Sequence, residues 1–261
     1  ITTKDHAVCA GEAPGEMKAT RPSGGNEQPM YLWESRTEGK GFEPAAGINN
    51  GMNYQPGKLT QTTWFRRKVV AGECDNVSEA VRILVHEVIA NNTISKDQVI
   101  CTGSTPDKLT GSQPTGGDGS YTSYWEAAGT DGVVRRVINS SSAGWSAGRR
   151  TRTTLYRRVV EGGPCTHVSN TVTITVSPTI TNNTIGLQQT IFRGQTPAPL
   201  SGSNPSGGAG AGTYTYIWES SHSQHTGYQL AVGTSNGRHY SPGAMQESTW
   251  FRRRVLSGGC E

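Results

Sequence analysis

His222 and His225 stand three positions apart in a Ser- and Gly-rich stretch. A protein zinc site needs at least a third ligand, which nothing nearby supplies, so the pair reads as part of a solvated hairpin loop. Asp118-Gly119 and Asp131-Gly132 lack the dense acidic pattern of a calcium loop and read as turns. The run Gly207-Gly208-Ala209-Gly210-Ala211-Gly212 precedes a strand pattern and no Lys-Ser/Thr follows it, which excludes a phosphate loop. The five cysteines form no CxxC and lie far apart, an arrangement unlike a zinc centre. No nucleophile with a base and no paired acids emerge, so the sequence points to a non-enzyme without metal or cofactor.

The elements that would position such residues are β-strands. Of 261 residues only 33% are hydrophobic and 17% charged, with 34 glycines and 13 prolines, which argues against one large core and for polar β-rich units. The net charge of +4 is spread in short basic pairs and triplets, so no nucleic-acid partner is expected. No apolar run reaches the roughly 20 residues of a spanning helix. The N-terminus ITTKDHAVC has neither part of a signal peptide, and the chain reads as an excised or processed piece.

Three markers recur in order. Trp33, Trp125 and Trp218 lie 92 and 93 residues apart; TTWFRRKVV, TTLYRRVV and STWFRRRVL follow them; and Cys74, Cys165 and Cys260 come next, 91 and 95 apart. Asn91-Asn92-Thr93-Ile94 repeats 91 residues later as Asn182-Asn183-Thr184-Ile185. This period suits a whole immunoglobulin-like sandwich, of about 100 residues, better than a solenoid unit. EAVRILVHEV and NTVTITVSP alternate as half-buried strands do, and Pro-(Ser/Thr)-Gly-Gly turns precede each Trp strand. The expected fold is all-β: three tandem immunoglobulin or fibronectin-III-like sandwiches over 1–88, 89–179 and 180–261, arranged in a row.

Within each unit the Trp is expected in the core, joined by Phe65, Tyr156 or Phe251 in a slot resembling a tyrosine corner. If Phe65 points inward, Arg67 shares its face, and one buried Arg per unit needs a partner. Glu34–Arg66, Glu126–Arg157 and Glu219–Arg252 would then be cross-strand pairs, each worth roughly 0.2–1 kcal/mol. Trp64 and Trp250 fall on the outer face, where an aromatic can stack on a sugar or lie under Arg stems, and Leu155 takes that slot in the middle unit. Arg135, Arg136, Arg149, Arg150 and Arg152 make the second unit a candidate for anionic polysaccharide. Asn76, Asn91, Asn139 and Asn182 open N-x-Ser/Thr sequons.

Cys9 and Cys101 share a repeat position, and Cys74 and Cys165 follow them by 65 and 64 residues. Pairing within each unit is therefore expected, Cys9–Cys74 and Cys101–Cys165, which implies an oxidising compartment. The third unit carries Phe192 at the first cysteine position, expected to fill the vacated space, and Cys260 is left unpaired.

The run VIC-TGSTP-LTGSQPTGG-YTSYW, TTLYRRVVEGGPC and SNTVTITVSP, from Val99 to Pro178, resembles the immunoglobulin-like repeats of large surface adhesins exported by the type IX secretion system of gliding Bacteroidetes, SprB-like proteins among them. The resemblance covers all three units. It implies a cell-surface stalk or filament serving attachment or gliding, with neighbouring repeats as partners; the competing function is glycan or anionic-polysaccharide binding. Phe192 and the basic loop after Trp125 depart from the pattern. The third unit stops at Cys260-Glu261, without the alternating strand that follows the cysteine elsewhere. Its strand from Trp250 to Leu256 is expected to be an open edge, completed by further chain or by a donated strand.

Overall fold

The computed structural model describes residues 1–25, 28–137 and 141–261. No helix occurs among them, and no span fit to cross a membrane as a helix. The first unit holds β1 (His6–Cys9), β2 (Met30–Thr37), β3 (Glu43–Pro44), β4 (Thr63–Ala71), β5 (Cys74–Val77) and β6 (Val81–Ala90). The second holds β7 (Gln98–Cys101), β8 (Leu109–Thr110), β9 (Thr115–Gly117), β10 (Thr122–Ala128), β11 (Val134–Arg136), β12 (Gly144–Trp145), β13 (Thr154–Gly162), β14 (Cys165–Val168) and β15 (Val172–Ser177). The third holds β16 (Thr215–Ser221), β17 (Gln229–Leu230) and β18 (Trp250–Leu256).

One layer of each unit is a regular sheet, in the order β1-β6-β4-β2-β3 in the first unit and β11-β10-β13-β15-β7 in the second. Their first strands, β1 and β7, run parallel to the last, β6 and β15. The facing layer is ragged, made of short bridges such as Met17↔Tyr54, Ile94↔Gly111 and Leu200↔Tyr240. High Gly, Ser and Pro content explains this, because such segments form turns more readily than ladders.

Period-two alternation decides what the layers enclose. Along β4 the burial alternates from Thr63 through Phe65 to Arg67 on one face, with Trp64 and Arg66 on the other. Trp33, Trp125 and Trp218 are fully buried, and their indole N–H groups donate to the carbonyls of Gly51, Ser142 and Gly237. Phe65 and Tyr156 are buried beside them, and Phe251 is partly buried. The aromatics between these two positions, Tyr54, Trp145 and Tyr240, come from the ragged layer and complete a cluster of three rings in each unit. Tyr54 and Tyr240 also tie down loops by donating to the carbonyls of Ala46 and Val232. The loop-locking hydroxyl thus comes from the opposite layer rather than from the slot of Phe65.

The units are not strung on a loose linker. β6 runs through the expected division at residue 88 and pairs with β9 of the second unit, Glu87 opposite Gly117 and Ala90 opposite Thr115. Ile89 packs there with Val160, Tyr121 and two cysteines. Asn91 and Asn182 adopt positive φ, 53° and 58°, a conformation Asn tolerates better than most residues. Their side chains donate to the carbonyls of Gln113 and Asn204, so neither sequon asparagine is a free surface group. Asn139 lies outside the described residues.

In the third unit β18 pairs with β16, and among the described residues no strand lies along its other side. A groove of about 700 Å³ occupies that place, between Ile185–Arg193 and Met245–Phe251. Phe192 does not fill a core space as expected: it is 80% exposed and lines this groove. The reason is the same open edge, since β1 and β7 are strands by pairing with β6 and β15, and no strand among the described residues takes that place here.

Candidate functional site

The cysteines correct the expected pairing. Cys9 is bonded to Cys165 and Cys101 to Cys260, with Cα–Cα distances of 5.1 and 4.7 Å, while Cys74 is a free, exposed thiol. Neither Cys9–Cys74 nor Cys101–Cys165 forms, and Cys260 is not the unpaired one. Strand geometry gives the cause. Phe65 pairs with Val81; Cys9 sits opposite His86, five residues along β6 one way, and Cys74 pairs with Ala71, six residues along β4 the other way. At ~3.3 Å per residue the two lie about 35 Å apart along the sheet, and a disulfide needs Cα atoms within about 7 Å. The same offsets separate Cys101 from Cys165. Each unit therefore carries its two cysteine positions at opposite poles, and each disulfide joins one unit to the next.

A buried arginine sits under each Trp strand. Arg67, Arg158 and Arg253 are 6%, 1% and 6% exposed, and burial lowers the pKa of each guanidinium. Their acceptors are neutral oxygens. Arg158 donates from Nε to Asn92 Oδ1 at 2.9 Å and from Nη2 to the Ser112 carbonyl at 2.8 Å. Arg253 donates from Nε to Asn183 Oδ1 at 2.9 Å and from Nη1 to the Arg238 carbonyl. Asn92 and Asn183 return the contact by donating to the carbonyls of Arg158 and Arg253. The second Asn of each Asn-Asn pair is thus the partner that the alternation of the Arg strand calls for. Arg67 donates to the carbonyls of Met52 and Thr20, but its Nε is buried and has no partner among the described residues.

On the outer face, Glu34 lies opposite Arg66, Glu126 opposite Arg157 and Glu219 opposite Arg252, with N–O distances of 2.7, 2.6 and 2.6 Å. The glutamates are more covered than the arginines, two of which also lie over aromatic rings, Arg66 over Phe42 and Arg252 over Tyr228.

The candidate ligand-binding residues do not converge. Trp64 lies under the Arg36 guanidinium at 4.4 Å, and Trp250 sits on the sheet of another unit, lining the groove of the third. Arg135 is paired with Asp131, and Arg136 lies over Tyr124 at 4.0 Å. Asp131 is a turn residue that accepts from the Val133 and Arg135 N–H groups, which hold its carboxyl below the usual range. Asp118 likewise accepts from the Ser120 N–H. His222 lies near the Ser248 carbonyl, and no cluster of three His, Cys, Asp or Glu side chains suited to a metal occurs among the described residues.

What the chain builds is an all-β array of immunoglobulin-like sandwich units, cross-braced by disulfides and by connector asparagines on buried arginines. It belongs to the family described as "Domain of unknown function (DUF8696)", which matches residues 1–87, 90–178 and 181–261. No curated protein matches. Among solved structures, titin domains A168–A170 resemble it at 13% identity and a TM-score of 0.41, covering 98% of this chain and 90% of that one. The fibronectin(III)-like modules of Clostridium thermocellum CbhA show 15% identity and a TM-score of 0.36 over 68% of this chain and 92% of theirs. Immunoglobulin domains 1–5 of Sidekick-1 show 11% identity and a TM-score of 0.30, the chain covering 57% of that structure.

Proposed function

We propose that this chain is a non-enzymatic, load-bearing segment of a large extracellular adhesin, a stalk or filament whose work is to hold its units in a row. The observation that carries this reading is that both disulfides run between units rather than within them. A bond inside a domain stabilises that domain; a bond between domains fixes their spacing, which is what a stalk transmitting force requires. Disulfides of this kind persist in oxidising surroundings, which supports a cell-surface location. The similarity of Val99–Pro178 to type IX-secreted adhesin repeats supports a bacterial surface and a role in attachment or gliding.

The competing function, binding of surface glycans or anionic polysaccharide through Trp64, Trp250, Arg135 and Arg136, has less support, because these side chains are spread over three units and three of them are engaged with neighbours. The two functions separate under flow. Cells bearing the parent protein with Cys9→Ser and Cys101→Ser attach normally at rest and detach at lower shear than the parent. Equal resistance to shear rejects the load-bearing role, and loss of attachment at rest on Arg135→Ala/Arg136→Ala favours the ligand-binding one.

A further inference from the structure

Three observations meet at the pole of the first unit that carries Cys74. The first is register. Cys74 pairs with Ala71 as Cys165 pairs with Gly162 and Cys260 with Ser257, so all three occupy one position of the same hairpin. Both of the others are bonded to the cysteine position that ends the first strand of the preceding unit; Cys74 is exposed and free.

The second is a buried donor without an acceptor. Arg67 Nε is enclosed and has no hydrogen-bond partner among the described residues. At the equivalent atoms of Arg158 and Arg253 the acceptor is the second Asn of the connector arriving from the preceding unit. A buried N–H without an acceptor destabilises the fold, and the Oδ1 of such an Asn removes that penalty.

The third is open space at a glycine. A Cβ on Gly116 or Gly207 would lie 2.1 Å from the carbonyl oxygen of Val88 or Thr179, so the preceding unit's backbone presses directly on these residues. Gly24, the first glycine of the same Pro-Ser-Gly-Gly turn, has a φ of +89°, and a Cβ there would meet none of the described residues within 4 Å.

We propose that this pole is a receptor for one further repeat of the same family. The incoming repeat sets a connector Asn on Arg67 Nε, lays its backbone on Gly24, and is closed by a disulfide from its first-strand cysteine to Cys74. The partner is not an identical copy in head-to-tail contact. Cys9 and Cys101 are already bonded, and the third unit offers Phe192 where the donor cysteine belongs. The partner is a repeat of the second unit's type. The bond forms by thiol–disulfide exchange: a small-molecule or protein disulfide is reduced to two thiols, taking up the two protons and two electrons that Cys74 and the donor cysteine lose. The proposal goes beyond the stalk function and stands if that function fails, since it requires no load.

The test places a second copy of residues 90–183 before Ile1 of the complete chain, so that the copied Asn-Asn connector leads into the first unit. After refolding in a glutathione redox buffer, peptide mapping without reduction is expected to link the copied Cys101 to Cys74, with alkylation of Cys74 falling at least tenfold. With Cys74→Ser in the same extended chain, amide exchange around Arg67 is expected to remain slower than in the native chain, because the Asn contact survives. Cys74 staying fully alkylatable, the copied Cys101 pairing with the copied Cys165, or unchanged exchange around Arg67 each overturns the proposal. So does loss of the Cys9–Cys165 link, because a repeat that fits this pole leaves the opposite pole undisturbed. In the native chain, a Cys74–Cys74 dimer as the dominant oxidised product overturns it in favour of a symmetric contact between copies.

Discussion

The Oδ1 atom of Asn92, in the connector entering the second unit, accepts a 2.9 Å hydrogen bond from Nε of Arg158, which is 1% exposed. One contact thus joins the entry of a unit to its interior, and the third unit repeats it with Asn183 and Arg253. It makes folding of the second and third units depend on where the preceding one ends.

Replacing Asn92 by Ala strands the Arg158 donor and also removes a donor to the His167 carbonyl. The expected loss is about 1–3 kcal/mol. Asn91→Gly, at positive φ, is expected to cost less, since only the bond to the Gln113 carbonyl is lost. Urea denaturation of the full chain followed by Trp fluorescence measures both; equal effects would show that the Arg158 contact contributes nothing.

Pulling the chain from its ends reads the bracing directly. With both disulfides closed the shortest covalent path runs from Ile1 to Cys9, across to Cys165, back to Cys101 and across to Cys260. That path holds about 75 residues and extends to roughly 250 Å, against about 900 Å for the reduced chain at ~3.4 Å per residue. Single-molecule force spectroscopy with and without reductant measures the difference. Full extension of the oxidised chain contradicts the inter-unit bonds.

Alkali is expected to destabilise the fold through its buried phenols. Burial raises the pKa of Tyr54, Tyr156 and Tyr240 above 10.0. The folded chain then holds these protons after the unfolded chain has released them, so stability is complete below pH 10 and falls as pH rises through the raised values. Arg158 acts with the opposite sign, because burial lowers its pKa and the folded chain releases that proton before the unfolded one. Tyr156→Phe, matching the residue in the same slot of the other units, is expected to leave neutral stability within about 1 kcal/mol and to flatten the alkaline loss. Melts between pH 8 and 11 that show the same slope for both proteins would remove Tyr156 from this account.

The open side of β18 is expected to take a strand. Appending a copy of the segment Thr171–Ser177 after Glu261 places it in the groove lined by Phe192 and Trp250. Protease resistance of the third unit then rises and Phe192 becomes protected from solvent. If neither changes, the groove is not the place of a missing strand.

Much of the molecule was legible in its repeats. Trp33, Trp125 and Trp218 announced three cores because a period near 92 residues is the size of one sandwich. Alternation along TTWFRRKVV placed Phe65 and Arg67 inside and Arg66 opposite Glu34, since successive side chains of a strand must face opposite ways. Spacing did not reveal the cysteine partners. Cys9 to Cys74 and Cys101 to Cys165 span nearly equal intervals, but so do Cys9 to Cys165 and Cys101 to Cys260, at 156 and 159 residues. Only the tertiary structure chose, because it alone sets the two cysteine positions of a unit about 35 Å apart at opposite poles and brings those of neighbouring units into contact. The same holds for Asn92 and Arg158, 66 residues apart: sequence shows that a buried guanidinium needs an acceptor, and only the docking of one unit on the next decides which atom supplies it.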